Sequence, residues 1–431
     1  MRVRDPKGII EFGGGISQGH LSKAGRRSVD EVRARPLPDS ILHLIWREHQ
    51  ISRAEIARRF KLSRSTVTEI IKELLQSGFV AEVGIGQSSG GRRPIVLEFQ
   101  NEARCILGID IGATHVSVVL TDLHGQILVW KEKEHPVRSD PDGTRTLVIE
   151  LCDECLATWA GGSERLFSIG VAVPSPVDPI HPEWLSEVVV PAWRGRSELE
   201  RLNQHYKVPV YVDNDANLGA LAEHLWGAGR GIDDLIYIKI AHGIGAGYIL
   251  NGKIYRGAWG IAGEMSHMPI DPGGKQCVCG LNGCLATFFS APALAERAGE
   301  LLPDNPESIL TTENLTITDI EEAALASDKV ALQLVQEAAE YLSIAVAGWI
   351  NMMNPRMVIL GGSMARLGNL LLEPIRKKVK SCTLVSSPET VSIEPGELGS
   401  QAVAIGAATL AVQRAFDQHH FYRREPRTLI I

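Results

Sequence analysis

Residues 105–134 read CILGIDIGATHVSVVLTDLHGQILVWKEKE. Apolar, β-branched runs broken by short turns predict three consecutive strands, with DLHGQ (122–126) marking one tight turn. The first strand carries Asp110. A turn of Gly112, Ala113 and Thr114 follows, and His115 opens the next strand. A strand, an acid and a glycine-containing turn is one way to begin a phosphate cradle. Downstream, the pattern predicts a helix over 143–159 and a strand at SIGVAVPSP (168–176). A second similar sweep starts near Leu235 with LIYIKIAHGIGAGYILNGKIYRG (235–257). Helices are expected after Pro292, Asp328 and Asn369, and strands at MVILGGS (357–363) and VSIEPG (391–396). Two βββαβα-like halves predict an α/β body of two lobes with a cleft between them.

The segment before this body has a different texture. Residues 1–36 are rich in Gly, Arg and Ser without apolar periodicity, and we expect them to be a disordered basic segment. In DSILHLIWREHQ (39–50), Asp39 or Ser40 is the expected cap of a helix that buries Ile41, Leu42, Leu44 and Ile45. In SRAEIARRF (52–60), Ser52 and Glu55 have capping-box spacing. Ser63 caps a longer helix with Val67, Ile71 and Leu74 on one face, and Gly78 ends it. Helix, short helix, turn and longer helix is helix-turn-helix order. Extended stretches at 79–83 and 94–99 around GIGQSSGGRR (84–93) predict a wing. The exposed face of the third helix carries Arg64, Ser65, Thr66, Thr68 and Lys72, and the wing tip carries Arg92 and Arg93. These are candidate contacts to double-stranded DNA.

Bulk charge agrees with that division. The 431-residue chain is 44% apolar and carries a net charge of −7. Residues 1–100 hold 17 Lys/Arg against 11 Asp/Glu, while the remainder holds 27 against 40. A basic front joined to an acidic body points to separate partners for each. No secretory core and no membrane-length apolar run is present, so a cytoplasmic location without membrane insertion is expected.

Two constellations carry chemistry. HMPIDPGGKQCVCGLNGC (267–284) offers His267, Cys277, Cys279 and Cys284. One imidazole and three thiolates in a Gly-rich loop suit a structural, four-coordinate Zn²⁺. VDNDANLGALAEHLWG (212–227) places Asp213, Asn214, Asp215 and Asn217 between a strand and a helix. A carboxylate there can take a proton from a sugar hydroxyl, or hydrogen-bond it without chemistry. One of the four residues can equally be a helix cap. Glu264 precedes His267 by three residues and can present a carboxylate beside the metal loop.

Taken together, DIGATH (110–115), GVAVPSPVD (170–178), NDAN (214–217), GIGAGYILNG (243–252), GEMSH (263–267), CVCGLNGC (277–284) and VILGGS (358–363) resemble the ROK family of repressors, open reading frames and sugar kinases. With the winged helix and SSGGRRP (88–94), the resemblance spans about residues 38–415 and is to the xylose- and N-acetylglucosamine-type repressor branch. It implies an N-terminal winged helix-turn-helix followed by a two-lobed, actin-like ATPase-fold body of the sugar kinase and Hsp70 type. Expected boundaries are 37–100 for the DNA-binding domain and 103–225 for lobe 1, completed by a C-terminal helix at about 401–416. Lobe 2 with the zinc loop takes 226–400, and a tail takes 417–431.

The resemblance also assigns Asn214, Asp215, Glu264 and His267 to sugar binding, with Asp215 at the position of the kinase base. His267 would serve both sugar and metal. The kinase-like phosphate turns are altered. Ala113 replaces a glycine, and His115, mostly neutral at pH 7 as an ordinary histidine, replaces a lysine. His242, before Gly243, replaces a threonine. Ala286 replaces a glutamate near the sugar, and Ser175 a glycine. We therefore expect a sugar-sensing repressor, binding an operator as a homodimer or homotetramer with a sugar or sugar phosphate as effector, and without catalytic residues. The alternatives are an active ATP-dependent sugar kinase with an accessory DNA module, or a scaffold that senses a partner protein.

Overall fold

The computed structural model describes residues 36–85, 95–313, 315–384 and 391–417. The expectations for residues 1–35, for Arg92 and Arg93 and for the tail beyond 417 lie outside the described residues.

The chain starts with α1 (Leu37–Glu48), β1 (Gln50–Ser52), α2 (Arg53–Phe60), α3 (Arg64–Ser77), β2 (Val80–Ile85) and β3 (Ile95–Phe99), the strands ordered β1-β3-β2. This is the expected winged helix. Two local expectations fail. The first helix is capped by neither Asp39 nor Ser40: it begins at Leu37 after Pro36, and Asp39 is buried inside its first turn. Pro38 sits where a missing N–H costs nothing, so the helix extends back past the polar pair. Ser52 does accept the Glu55 N–H at 3.2 Å. However, the Glu55 carboxylate goes to Arg58 and Arg59, three and four positions further along the helix, rather than back to the cap. Two charge-assisted bonds outcompete one neutral amide. Ser63 caps α3 by accepting from Thr66 N at 3.1 Å, and Gly78 ends it at φ 78°, both as expected.

The body repeats one plan twice. First come β4 (Cys105–Ile111), β5 (His115–Asp122), β6 (Ile127–Glu134), α4 (Pro141–Thr158), β7 (Leu166–Val173), α5 (Glu200–Tyr206), β8 (Val210–Asn214) and α6 (Asp215–Trp226). Their sheet runs β6-β5-β4-β7-β8, an antiparallel meander followed by parallel strands. Next come β9 (Leu235–Ile240), β10 (Ile244–Leu250), β11 (Lys253–Tyr255), α7 (Ala291–Leu301), α8 (Ile317–Leu325), α9 (Lys329–Met353), β12 (Met357–Gly361), α10 (Asn369–Cys382), β13 (Ser392–Pro395) and α11 (Ala402–Asp417). The second sheet, β11-β10-β9-β12-β13, has the same strand directions. The short α8 was not anticipated. It is nucleated by a capping box in which Thr316 and Asp319 satisfy each other's backbone N–H.

The last of these helices, α11, returns to the first sheet. A Cβ on Gly108 would lie 2.1 Å from Ala404 O, and one on Gly170 1.8 Å from Ala407 O. Only glycine allows backbone to approach backbone this closely. Across α11, Gly406 meets Leu218 O of α6 in the same way. On its other side α6 touches the second sheet, where a Cβ on Gly247 would meet Ala216 O at 2.3 Å. Thus α6 is wedged between both halves.

The core of the winged helix is continuous with that of the body. Ile41, Ile45, Trp46, Phe79 and Phe99 share one buried cluster with Leu218, Leu221 and the α11 residues Val412 and Phe416. Trp46 Nε1 donates to Leu123 O at 2.9 Å in the β5–β6 turn. Its ring lies against Phe416, His124 and Trp226 with centroids 5.3, 5.4 and 6.3 Å away. Burial of such rings is a large stabilising contribution. Among the described residues no helix is long and apolar enough to cross a membrane.

Candidate functional site

Strand β8 delivers Asp213 and Asn214 to the start of α6. Asn214 is the helix cap: its Oδ1 accepts from Ala216 N and Asn217 N at 2.9 and 3.2 Å. Its amide also donates to Ser175 O at 3.2 Å, fastening the cap to the loop after β7. Asp213 is buried and structural, bonded by Asn217 Nδ2 at 3.1 Å and by Arg256 Nε at 2.8 Å. Asp215 lies where α6 meets the second sheet. Its Oδ1 accepts from Ala216 N and its Oδ2 from the Lys239 ammonium, each at 2.7 Å.

Lys239 was missed by sequence reasoning. Its signal is a single charge in LIYIKI (235–240), a strand otherwise fully buried. In register, Lys239 is flanked by Gly245 and Gly361, so no neighbouring side chain crowds it.

The expected phosphate turn is closed by its own residues. The His115 ring lies over Gly112, where a Cβ would come within 2.3 Å of it. His115 Nε2 is 3.5 Å from Asp110 Oδ2. Burial would lower the His115 pKa, but the bond and charge of Asp110 more than offset it, and the net shift is upward. Asp110 therefore favours the protonated ring, and whatever charge His115 carries is directed at Asp110 inside the turn. Burial would likewise raise Asp110, yet the Lys239 charge and His115 hold it below the usual carboxylate range. In the second lobe, His242 sits in the β9–β10 turn with Gly243, where Ala241 N donates to Gly243 O at 3.0 Å. Burial, helped by the Arg138 charge, pushes its pKa down, leaving a neutral ring there.

Glu264 caps the short helical turn Met265–His267, and His267 N donates to Glu264 O at 3.2 Å. Burial raises the Glu264 pKa to about 7, with the Asp215 charge adding to the effect. The two carboxylates therefore sense each other across one site. Glu264 and His267 are half-buried, as is Asn214.

His267, Cys277, Cys279 and Cys284 converge, one donor atom from each lying within 4.8 Å of the others. Cys277 Sγ is 3.5 Å from His267 Nδ1, and Cys279 Sγ is 3.7 Å from Cys284 Sγ. A tetrahedron with metal–sulfur bonds of about 2.3 Å has sulfur–sulfur edges of about 3.8 Å, so the donor set fits a tetrahedral metal ion. Gly283 makes the loop possible. Its φ is 63°, and a Cβ there would meet Asp271 O. With Nδ1 turned toward the thiols, Nε2 is the nitrogen left for another partner.

On α3, Arg64, Ser65, Thr68 and Lys72 are exposed and Thr66 is half-exposed. Arg53, Arg58 and Arg59 of α2 are paired with glutamates. Arg64 and Lys72 belong to none of the ion pairs found among the described residues. Ser65 and Thr66 hydroxyls both lie 2.8 Å from Ser63 Oγ.

Comparison with known proteins places these features together. Residues 106–414 match the ROK family and residues 40–82 the MarR family. The xylose repressor of Bacillus subtilis (strain 168) is 33% identical over 380 residues, covering 88% of this chain and 95% of that protein. Among solved structures, a ROK family transcriptional regulator described as a homologue of the E. coli MLC protein superposes with a TM-score of 0.72. It is 26% identical and covers 88% of this chain and 97% of its own. A ROK family glucokinase from Streptomyces griseus, crystallised with glucose and AMPPNP, gives a TM-score of 0.61 at 29% identity, covering 72% of this chain and 99% of its own. The shared α/β body, the His/Cys cluster and the MarR-type helix-turn-helix ahead of them make this chain a member of the ROK family.

Proposed function

We propose that this protein is a sugar-responsive, DNA-binding transcriptional repressor of carbohydrate-use genes whose body no longer transfers phosphate. The observation that carries this reading is the one-sided change in the cleft. The polar residues suited to a sugar, Asn214, Asp215, Glu264 and His267, are kept, while His115 fills the turn that would receive a phosphate. In this reading Asn214, Asp215, Glu264 and His267 bind sugar hydroxyls. Glu264, with its pKa near 7, serves as donor or acceptor according to the hydroxyl it meets. Arg64, Ser65, Thr66, Thr68 and Lys72 face DNA, with Arg92 and Arg93 at the wing tip. His267, Cys277, Cys279 and Cys284 hold a structural Zn²⁺, which stiffens the loop carrying His267 and Glu264. The domain boundaries given from the sequence are retained as part of this proposal, as are a cytoplasmic location and a homodimer or homotetramer that places two winged helices on two half-sites.

The route from sugar to DNA runs along α6. It begins at Asp215 in the cleft and ends at Trp226, whose Nε1 donates to Thr409 Oγ1 of α11 at 2.9 Å. The Trp226 ring also meets Trp46 of α1. A sugar that prefers one setting of α6 thereby prefers one setting of the winged helix, which is what an effector needs in order to shift DNA affinity.

The test uses duplexes that the full chain itself selects from a random pool. Their affinity, read by fluorescence anisotropy, is titrated with D-xylose, D-glucose and N-acetyl-D-glucosamine. One sugar should weaken binding by about tenfold, equivalent to ~1.4 kcal/mol of coupling. Arg64→Ala should weaken binding and relax sequence choice. No selectable duplex, or indifference to all sugars, sinks the proposal. The retained Asp215 favours a second reading, an active sugar kinase. Sustained Mg·ATP-dependent turnover of one of these sugars, abolished by Asp215→Asn, would establish it instead.

A further inference from the structure

We propose that Lys239 is the built-in counter-cation of the cleft. Its ammonium neutralises the Asp215 and Asp110 carboxylates in place of a divalent metal, so the site holds a hydroxyl-bearing ligand without Mg²⁺ or nucleotide. The argument starts from cost. A lysine projecting from the middle strand of a buried sheet is unfavourable unless a carboxylate meets it. Here the side chains of Lys239 and Asp215 are 13% and 15% exposed and 2.7 Å apart. Tyr237, on the same face of β9 as Lys239, is itself buried. The glycines at 245 and 361 leave the lysine stem a clear path between strands.

The second acid is Asp110 on β4 of the other lobe. It is buried, and its Oδ1 has no hydrogen-bond partner among the described residues. The ammonium has three protons and Asp215 takes one. Asp110 also feels the Lys239 charge, which draws its carboxyl toward the ionised form against the opposing effect of burial. The ionisable groups around the cluster are Asp110, Asp215, His115, Lys239, Glu264 and Tyr237. Metal-assisted phosphoryl transfer needs a divalent cation at the carboxylates to neutralise the developing charge. An ammonium bonded to Asp215 already supplies that charge, and it is tethered to the protein.

The consequence for sugar binding rests on the functional reading above, but the charge itself can be tested with no sugar present. The zinc-loaded full chain is melted in millimolar MgCl₂ and in NaCl of matched ionic strength. The wild-type melting temperature should be the same in both. Lys239→Met takes away the cation bonded to Asp215 and leaves Asp110 only His115, and Mg²⁺ should raise its melting temperature by about 2–4 °C. Adding Asp110→Asn to Lys239→Met should abolish the rise. A Lys239→Met chain indifferent to Mg²⁺, or a wild type that shows the same rise, overturns the proposal. So does stabilisation of the wild type by inorganic phosphate that Lys239→Met loses, because Lys239 would then be an anion receptor. If Lys239→Met does not fold, adding Asp215→Asn removes the orphaned charge and should restore folding. Failure of that rescue also counts against the counter-cation role.

Discussion

Burial brings the ionisation of Glu264 close to neutrality. Its folded pKa, about 7, lies above that of an unfolded carboxyl. The folded state therefore holds its proton more tightly. The associated stability is fully present below the unfolded pKa and is lost as pH rises through about 7. Glu264→Gln has no proton to lose. Its melting temperature relative to wild type should rise between pH 5 and pH 8 by a few degrees, as measured by parallel thermal melts. A pH-independent difference would mean that Glu264 is not held in a desolvated, acid-repelling place. At this scale the motif residues were legible because they cluster in sequence, as in NDAN (214–217) and CVCGLNGC (277–284). Lys239 was not, because its significance depends on Asp215 and on two glycines that only strand pairing brings beside it. The pairing of His115 was not legible for the same reason. Its partner Asp110 is five residues away in sequence, and only the turn folds the ring back onto it.

Elements were read more reliably than their ends. The winged helix and the two meanders carry strong periodicity, and Gly78 and Ser63 mark α3 unambiguously. The start of α1 and the half-formed box at Ser52 depended on competition that local pattern does not weigh: a proline two residues earlier, and arginines that draw Glu55 away. The α8 signal, Thr316 with Asp319, was present in the sequence but went unread. The loop between β11 and α7 holds the His267, Cys277, Cys279 and Cys284 cluster that could bind a metal. It has little regular structure, and Met265, Cys277, Cys284, Leu285 and Phe289 are among its buried points. Cys279→Ser should reduce bound zinc from one ion per chain to a small fraction, measured by elemental analysis after dialysis. Loss of the fixed loop should also weaken sugar binding through Glu264 and His267 by about tenfold, within the range seen when metal-site geometry is disturbed. Full zinc retention in that variant would remove Cys279 from the ligand set.

For the whole molecule, the arrangement of α6 between two sheets sets what must move together. Asp215 and Trp226 are opposite ends of one 12-residue helix of about 18 Å. Thr409→Val removes the hydroxyl that Trp226 bonds while keeping the side-chain shape, and should cost about 1 kcal/mol of stability. Sugar affinity and sugar-free DNA affinity should stay within about twofold, while the sugar-induced loss of DNA binding falls below about threefold. An unchanged sugar response would show that coupling bypasses the α6–α11 contact. The two-lobed plan and the separate charge of its front were visible in the sequence. The shared core of winged helix and body was not, since Trp46, Leu123, Trp226 and Phe416 are scattered along the chain.

The return of α11 to the first sheet bears on how the protein is made. Strands β4 and β7 leave the ribosome long before Ala404 and Ala407, the backbone groups that cover Gly108 and Gly170. Until those residues emerge, the first sheet has one bare face and Trp46 lacks Phe416. A nascent chain stopped anywhere in the second half thus carries a DNA-reading helix on an unfinished support. Interrupted synthesis would yield fragments suited to degradation rather than partial repressors that occupy DNA without answering to sugar.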